Sequence, residues 1–355
     1  MAGNANLRAA DKNKQDEFYT RLVDIENELK HYKHHFKDKV VLCNCDDPRI
    51  SNFFHYFSYN FEALGLKKLI TTCYKNQNRD LFSQNDSERA IWLEYFGDKN
   101  GNRVPDPEEI GIHYFKGDGD FRSQECIELL KEADIVVTNP PFSLFREYIS
   151  QLMHYDKKFV IIGNQNAISY KEVFSLMKQD KLWLGYTFPK LFRISDNITG
   201  KNVKIVDNIK YQQFGNIGWF TNLDISKRHE DVILYKVYNS EEYPKFDNYD
   251  AINIDRTADI PMDYNGLMGV PISFLDKYNP SQFEIVEGLN RYTILDVDGR
   301  NDWAKKNHIH FTCINGQPKY FRIIIRRRQN NIINYQQQES ELPMAAEEQA
   351  KYNKL

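Results

Sequence analysis

The stretch Asp134-Ile135-Val136-Val137-Thr138-Asn139-Pro140-Pro141-Phe142 decides the fold of this 355-residue chain more than any other segment. Its first half is a short apolar run, which predicts a buried strand, and residues 145–152 repeat apolar side chains at helical spacing. The tetrad Asn139-Pro140-Pro141-Phe142 is therefore expected on the loop at the carboxyl end of a parallel strand. Open α/β sheets place their active sites at this position.

The tetrad carries groups suited to binding a planar amine. Two consecutive prolines fix φ and lack an N–H, so the backbone is stiff and its carbonyls point outward. The side-chain oxygen of Asn139 and the carbonyl of Pro140 then offer two acceptors to one NH2 group, and the ring of Phe142 can lie against its flat face. A proline-stiffened turn with no catalytic function is the alternative interpretation.

Strand and helix patterns alternate on both sides of this stretch. Further strands are predicted at residues 40–42, 69–72, 112–115 and 159–162, with residues 182–184 and 217–220 completing the sheet. A helix is predicted over residues 20–36, and Ser169 with Glu172 forms a capping box at the start of another. The alternation predicts an α/β fold with a doubly wound, mostly parallel sheet over residues 16–225.

The remaining segments differ in composition. Residues 1–15 are polar and predict a flexible N-terminus. After residue 225 the helical period fades, so residues 226–328 predict a smaller, mixed or β-rich region. Residues 329–355 are rich in Gln, Asn and Glu and predict a disordered tail.

Composition limits the class of protein. The chain has neither an apolar stretch long enough to cross a membrane nor the apolar core of a signal peptide, which predicts a cytoplasmic protein. Cys43 and Cys45 have no second pair to complete a zinc site, so reduced thiols and no metal are expected. Because the net charge is −3, any DNA-binding surface must come from local clusters such as Lys201, Lys204 and Lys210.

Two further loops follow predicted strands. In Lys116-Gly117-Asp118-Gly119-Asp120-Phe121, a carboxylate can accept a hydrogen bond from an exocyclic amine while the phenyl ring covers an aromatic ring. A turn that caps the next helix explains this loop equally well. Asn44-Cys45-Asp46-Asp47-Pro48 follows the first strand without a glycine-rich phosphate-binding pattern, so a cofactor without phosphates fits better than a dinucleotide.

Four segments together form a recognisable set: Asp16-Glu17-Phe18-Tyr19-Thr20, Asn44-Cys45-Asp46-Asp47-Pro48, Gly117-Asp118-Gly119-Asp120-Phe121-Arg122-Ser123 and Val137-Thr138-Asn139-Pro140-Pro141-Phe142. They resemble the motifs of the EcoRI-type DNA adenine-N6 methyltransferases of type II restriction-modification systems. Residues 249–253 and 263–266 resemble the downstream half of that family. The resemblance covers about residues 14–325 and is weakest over residues 187–216, 285–312 and the tail.

The resemblance implies a sheet of the S-adenosylmethionine-dependent methyltransferase type, with S-adenosyl-L-methionine as cofactor and double-stranded DNA as partner. It also implies target recognition by residues 226–328, with residues 187–216 as a recognition insertion. A cognate restriction endonuclease acting on the same site, without necessarily contacting this chain, is compatible with it.

The resemblance also implies site residues, assigned by motif position. Asp16, Tyr19 and Thr20 lie in the segment that reaches the methionine moiety, and Asn44 with Asp46 lies in the loop after the first strand. Asp120 and Phe121 match the pair that holds the cofactor adenine, with Asp118 as the competing candidate. The ribose contact stays unassigned because the second strand ends in Thr72-Cys73-Tyr74, with no acid.

The expected reaction is a direct displacement at nitrogen after the adenine is flipped out of the duplex. Asn139, Pro140, Pro141 and Phe142 form the catalytic loop. The alternative is a methyltransferase that modifies glutamine amides or RNA guanine amines with the same loop, although such enzymes usually keep a glycine-rich first loop. A restriction endonuclease and a non-catalytic DNA-binding regulator are further alternatives, and cofactor binding would exclude the regulator.

Overall fold

The computed structural model describes residues 18–45, 51–73, 90–102, 104–194, 202–289, 312–319 and 321–328. Its contacts divide the chain into two compact units, Met1–Ile225 and Ser226–Leu355. The predicted flexible segment 1–15 and the predicted tail 329–355 lie outside the described residues.

The first unit combines helices with short strands. Its strands are β1 (Tyr19–Thr20), β2 (Val40–Cys43), β3 (Lys68–Thr72), β4 (Ile91–Tyr95), β5 (Ile110–Tyr114), β6 (Ile135–Thr138), β7 (Lys158–Asn164), β8 (Trp183–Leu184), β9 (Leu191–Arg193), β10 (Val203–Val206), β11 (Ile209–Gln213) and β12 (Ile217–Thr221). Its α-helices are α1 (Leu22–Leu29), α2 (Asn52–Tyr59), α3 (Phe61–Leu64), α4 (Gln124–Glu132), α5 (Phe145–His154) and α6 (Lys171–Lys178), and its 3-10 turns are Lys33–His35, Phe142–Leu144 and Gln165–Ser169.

The main sheet has eight strands in the order β5-β4-β3-β2-β6-β7-β12-β8. Its central strands β3, β2, β6 and β7 are parallel to one another, and the outer pairings on both sides are antiparallel. The α/β content is as predicted, but the mostly parallel sheet is not, because the sheet is mixed. Sequence patterns indicate which strands are buried, whereas direction depends on connections such as the β4–β5 hairpin.

The central strands are mostly apolar and largely buried because both faces of the sheet are covered. Val41, Val137 and Val160 belong to one core together with side chains of α1, α2 and α3. On the opposite face, the ring of Phe145 in α5 packs 5.0 Å from that of Phe220. Strands buried on both faces therefore form the rigid base of the loops that follow them.

The loop after β5 starts at the same edge of the sheet as the loops after β2 and β6. Strand β5 pairs antiparallel with β4, and β4 pairs antiparallel with β3, so β5 runs in the same direction as β3. The carboxyl ends of β2, β3, β5, β6 and β7 consequently share one edge, called the carboxyl edge below.

A second sheet of the first unit has the order β1-β9-β11-β10 and is antiparallel throughout. It contains the described part of residues 187–216, for which the sequence predicted a recognition insertion. Strands β10 and β11 form a hairpin whose turn residues, Asp207 and Asn208, have φ of +50° and +62°. Positive φ at both positions is typical of a two-residue hairpin turn.

Two helix predictions need correction. The first helix, predicted over residues 20–36, is α-helical only from Leu22 to Leu29 and continues as a 3-10 turn over Lys33–His35. The predicted capping box is not formed. Ser169 ends a 3-10 turn, and its hydroxyl donates to the carbonyl of Asn166 at 2.7 Å. Tyr170 precedes α6 without a side-chain cap, since local hydrogen bonding competes for the serine hydroxyl.

The second unit is built mainly from strands. They are β13 (Lys245–Phe246), β14 (Tyr249–Asn253), β15 (Met268–Pro271), β16 (Phe283–Leu289), β17 (Cys313–Ile314), β18 (Gln317–Pro318) and β19 (Arg322–Arg327), with 3-10 turns at Ser226–His229, Thr257–Asp259 and Ile272–Lys277. Five of these strands form a mixed sheet, β13-β14-β15-β19-β16, and β17 pairs with β18. Among the helices described in either unit, none is long and apolar enough to span a bilayer.

Candidate active site

Asn139 follows β6 directly and is 7% exposed. Its amide nitrogen donates to the carbonyl of Phe18 at 2.5 Å. Since an amide has one donor end and one acceptor end, this contact fixes the orientation of the side chain. Its oxygen Oδ1 is buried and has no hydrogen-bond partner among the described residues. The site therefore contains a buried acceptor held in one orientation.

The rest of the tetrad is held by aromatic packing. Pro140 is buried, and Pro141 and Phe142 are half-buried. The ring of Phe142 stacks on that of Phe18, with centroids 6.0 Å apart, and meets the rings of Phe192 and Phe214 edge-on at 6.5 and 6.0 Å. These four phenylalanines, called the aromatic cluster below, connect the loop after β6 to strand β9 and to the residue that follows β11.

Asn44, at the end of β2, joins β2 to β6 and α5. Its backbone carbonyl accepts a hydrogen bond from the hydroxyl of Thr138, and its side-chain oxygen accepts one from the hydroxyl of Tyr148. Burial raises the pKa of Tyr148 well above its ordinary value, so the phenol stays protonated and donates. The side-chain oxygen of Asn44 is thus already occupied by a protein donor.

The loop over residues 117–121 lies against the end of β3. Gly119 has a φ of +78°, and a Cβ there would come 2.5 Å from the carbonyl oxygen of Cys73, so both backbone and space require glycine. Phe121 is buried, and its ring meets that of Tyr148 edge-on at 5.1 Å. The loop is therefore anchored beside the strand ends that carry Asn44 and Asn139.

The two candidate carboxylates of this loop differ. Asp120 binds the guanidinium of Arg122 through both oxygens, at 2.9 and 2.6 Å, and Arg122 also binds Glu147 at 3.0 Å. The hydrogen bonds from Arg122 hold the pKa of Asp120 below its ordinary value. Asp118 accepts the backbone N–H of Asp120 through Oδ1 at 3.1 Å, and no described group bonds its Oδ2. In this conformation Asp118 is the carboxylate of this loop with one oxygen that no described group bonds, whereas both oxygens of Asp120 accept from Arg122.

Strand β1 places the candidate residues Tyr19 and Thr20 on opposite faces of the second sheet. Thr20 is opposite Phe192 and is 1% exposed, and its hydroxyl has no described partner. Tyr19 is opposite Arg193, and its side chain points to the other face because successive strand residues alternate. Thr20 therefore shares a face with Phe192 of the aromatic cluster, whereas Tyr19 lies on the other face.

Two of the residues assigned by resemblance cannot be placed. Asp16 and Asp46 lie outside the described residues. Within the described ranges, no group of three or more His, Cys, Asp or Glu side chains is arranged to hold a metal ion.

The oxygens of Asn139, Asp118 and Thr20 that no described group bonds can accept hydrogen bonds. They fit an uncharged or cationic ligand that offers N–H or O–H donors, such as a nucleoside with an amino acid moiety. Buried polar atoms normally have partners, yet the Asn139 amide oxygen and the Thr20 hydroxyl lack one among the described residues. Phe121 and Asp118 belong to the same loop, which is anchored at the end of β3 through Gly119. These residues therefore fit the expected cofactor and a target amine.

Sequence reasoning missed the residues that orient the site. Phe18 contributes a backbone carbonyl to Asn139, and Phe214 packs against both Phe18 and Phe142. Tyr148 was predicted only as an apolar position of a helix. Its hydroxyl on the buried face of α5 was the one signal that it needs a polar partner.

Comparison with known proteins gives a consistent result. The family model for the adenine-specific methyltransferase EcoRI matches residues 6–328. The chain is 47% identical to the type II methyltransferase M.EcoRI of Escherichia coli, over 92% of this chain and 99% of that protein.

Two relatives come from mycoplasmas. Identity is 41% to the type II methyltransferase M.MgeORF184P of Mycoplasma genitalium, over 91% of this chain and 99% of that protein. Identity is 38% to the type II methyltransferase M.MpnI of Mycoplasma pneumoniae, over 91% of this chain and 98% of that protein. No solved structure matches the chain.

Proposed function

The chain belongs to the EcoRI family of adenine-specific methyltransferases, and we propose that it transfers a methyl group from S-adenosylmethionine to N6 of adenine in double-stranded DNA. The observation that carries this proposal is the buried Oδ1 of Asn139, which has no described partner while its Nδ2 is bonded to the carbonyl of Phe18. An acceptor kept in this state is suited to an incoming amine.

We assign the cofactor to the carboxyl edge around β2 and β6. Along the chain the sheet grows from β2 to β3 on one side and from β6 to β7 on the other, and ligands of α/β sheets bind at such a switch point. Thr20 would hold the amino acid moiety, Phe121 would cover the adenine, and Asp118 or Asp120 would accept its amine. S-adenosylmethionine, when bound, supplies a methyl group on a positively charged sulfur.

The loop after β6 acts on the target base. The lone pair of the adenine amine is delocalised into the ring, which makes the nitrogen a poor nucleophile. Asn139 Oδ1 and the Pro140 carbonyl accept its two hydrogens and stabilise the positive charge that develops on nitrogen. No covalent bond to the protein is needed, because positioning supplies most of the acceleration of a direct displacement.

The target adenine must leave the duplex to reach this loop. Phe142 is half-buried and is held by Phe18, Phe192 and Phe214. A ring fixed on these sides offers its remaining surface to the extruded base without losing further side-chain freedom on binding. We therefore assign Phe142 to stacking on the flipped adenine.

Sequence discrimination is assigned to residues 226–328 together with residues 187–216. Support comes from the β-rich second unit and from the antiparallel sheet that contains β9, β10 and β11. Exchanging both segments with those of a relative of different specificity should move the methylated site, whereas an unmoved site would contradict the assignment. A cognate restriction endonuclease that acts on the same site, without necessarily contacting this chain, is compatible with this proposal.

Tritiated S-adenosylmethionine offered in parallel reactions with unmethylated genomic DNA, with RNA and with protein tests the proposed function. Nucleoside analysis should find the label in N6-methyladenine. Label in protein glutamine or RNA guanine would favour the alternative substrates, and label in neither nucleic acid nor protein would refute methyl transfer. The Asn139→Ala variant serves as the negative control, because it should bind the cofactor but transfer little label to DNA.

A further inference from the structure

The two faces of the antiparallel sheet β1-β9-β11-β10 differ in chemistry. Residues directly opposite each other on paired strands share a face, which places Thr20, Phe192 and Gln212 on one side. Thr20 and Phe192 are buried, at 1% and 0% exposure. This face is therefore turned toward the core and the site.

The opposite face carries a row of basic and aromatic side chains. Arg193 is opposite both Tyr19 and Tyr211, and Tyr211 is opposite Lys204, so these four residues share one face, called the open face below. Arg193 and Lys204 are exposed. The face thus presents two positive charges in a chain whose net charge is −3.

Among the residues that the structure describes, few acidic side chains lie near the open face. Strands β1, β9, β10 and β11 contain no acidic residue. Asp24, near Arg21 at the start of α1, is bound by that guanidinium at 2.7 and 2.9 Å. Asp207 lies at the hairpin turn, beyond the row. The open face is therefore suited to a polyanion.

The hairpin also has apolar side chains that nothing in the described chain covers. Ile205 is 66% exposed and Val206 is 45% exposed, and β10 is an edge strand. Exposed edge strands of β-branched residues invite pairing or aggregation unless a partner covers them. The five residue steps from Phe214 to Ile209 span about 17 Å of extended chain, more than the depth of a major groove, about 8.5 Å.

The open face is fixed relative to the catalytic loop. Phe192 of β9 and Phe214 after β11 both pack edge-on against Phe142, and Phe18 before β1 accepts the hydrogen bond from Asn139. The sheet therefore cannot turn without moving the loop that carries Asn139. Whatever binds the open face is held in register with the reacting base.

We infer that the open face binds the phosphate backbone of DNA beside the target adenine, with Arg193 and Lys204 neutralising phosphates and the β10–β11 turn reaching into the groove. The inference rests on the proposed function, because it takes DNA as the substrate. Within residues 187–216 it assigns Arg193 and Lys204 to sequence-independent positioning on phosphates, and leaves base recognition to other side chains of that segment. It also assigns Tyr19 to the DNA side of the sheet rather than to the cofactor.

The test compares two variants that each lose two positive charges, one on the open face and one at the amino ends of β2 and β7. The first variant is Arg193→Gln/Lys204→Gln, and the control is Lys39→Gln/Lys158→Gln. Lys39 and Lys158 are exposed and lie at the amino ends of β2 and β7, opposite the carboxyl edge. DNA affinity is measured against salt concentration, on duplexes with and without the methylated site.

A plot of log affinity against log salt concentration has a negative slope, and each lost phosphate contact reduces its magnitude by about 0.9. The open-face variant should lose about 1.8 units of slope on both duplexes, with unchanged affinity for S-adenosylmethionine. The control should keep the wild-type slope. If the open-face double variant is poorly folded by circular dichroism, Lys204→Gln alone replaces it, with an expected loss of about 0.9.

Two results would overturn the inference while leaving the proposed function intact. One is a wild-type salt slope in the open-face variant of an enzyme that still methylates adenine. The other is a loss of affinity confined to the duplex that carries the methylated site, which would assign these side chains to base recognition. Failure of the wild-type enzyme to methylate adenine would instead refute the proposed function.

Discussion

Asn139 and Asp120 occupy two loops at the same edge of the sheet, yet their oxygens are satisfied differently. The amide oxygen of Asn139 is buried without a described partner, whereas both carboxylate oxygens of Asp120 bind Arg122. A buried acceptor left unpaired costs about 1–3 kcal/mol. That cost favours a ligand at the loop after β6, whereas the charge of Asp120 in the loop after β5 is already balanced by Arg122.

The largest effect is expected for Asn139→Ala. Removing one preorganised acceptor for developing charge typically lowers turnover by about 10²–10³-fold, or 2.7–4 kcal/mol. Single-turnover methylation measures this loss. Affinities for cofactor and DNA should stay within a few-fold, because the aromatic cluster and the open face are untouched.

The matched control is Asn27→Ala, an exposed asparagine in the middle of α1. It should keep wild-type turnover, since alanine is well tolerated in a helix. Near-normal adenine methylation by Asn139→Ala would show that the chemistry does not depend on this acceptor, even with the fold unchanged.

The second prediction compares the two carboxylates of the loop over residues 117–121. Asp118→Ala should weaken cofactor binding by about 1.5–3 kcal/mol, the range for a hydrogen bond to a charged group. Asp120→Ala should weaken it less, because Asp120 is already paired with Arg122. Isothermal titration calorimetry with S-adenosylmethionine measures both.

A larger loss of cofactor affinity in Asp120→Ala than in Asp118→Ala would mean that the Asp120–Arg122 pair opens when the cofactor binds. Arg122→Gln separates these cases, since it leaves Asp120 without its partner. If Asp120 holds the adenine, Arg122→Gln should strengthen cofactor binding; if Asp118 does, binding should stay unchanged.

The third prediction concerns stacking on the flipped base. Phe142→Ala should cost about 1–3 kcal/mol of stacking per base and should lower both turnover and the fluorescence change of a 2-aminopurine placed at the target position. Tyr59→Ala, at an aromatic side chain that is 57% exposed on α2, should change neither. An unchanged fluorescence signal in Phe142→Ala would assign the flipped base to another ring.

The sequence was informative wherever local pattern and burial agree. Residues 135–137 are apolar on both faces and lie in the buried strand β6, which ends at Thr138 before the loop that carries Asn139. Helical spacing after Phe142 likewise corresponds to α5, with its four apolar positions buried. In these segments the local preference and the tertiary environment select the same conformation.

The parts that sequence could not supply depend on contacts between distant residues. Strand direction in the β4–β5 hairpin, the carbonyl of Phe18 and the ring of Phe214 acquire their roles only when segments far apart in the chain meet. The carboxylate question is of the same kind. Motif position favoured Asp120, but only the fold reveals that Arg122 already occupies both of its oxygens.

The smallest effect is expected from the pH dependence of the Asp120–Arg122 pair. Arg122 lowers the pKa of Asp120 in the folded protein, so the pair contributes stability above the ordinary aspartate pKa of about 3.9. That contribution is lost as the pH falls through the lower folded value. Because the Arg122 side chain is 51% exposed, the pair should be worth about 1 kcal/mol or less.

Urea unfolding of wild type and Arg122→Gln at several pH values therefore tests whether the Asp120–Arg122 pair stabilises the loop after β5. The difference in unfolding free energy should be constant between about pH 5 and 7 and should shrink below about pH 4, where the unfolded carboxyl takes up its proton first. A difference that stays constant down to pH 2 would show that Arg122 stabilises the loop by packing on Phe121, whose ring lies 5.3 Å from the guanidinium, and not through the charge of Asp120.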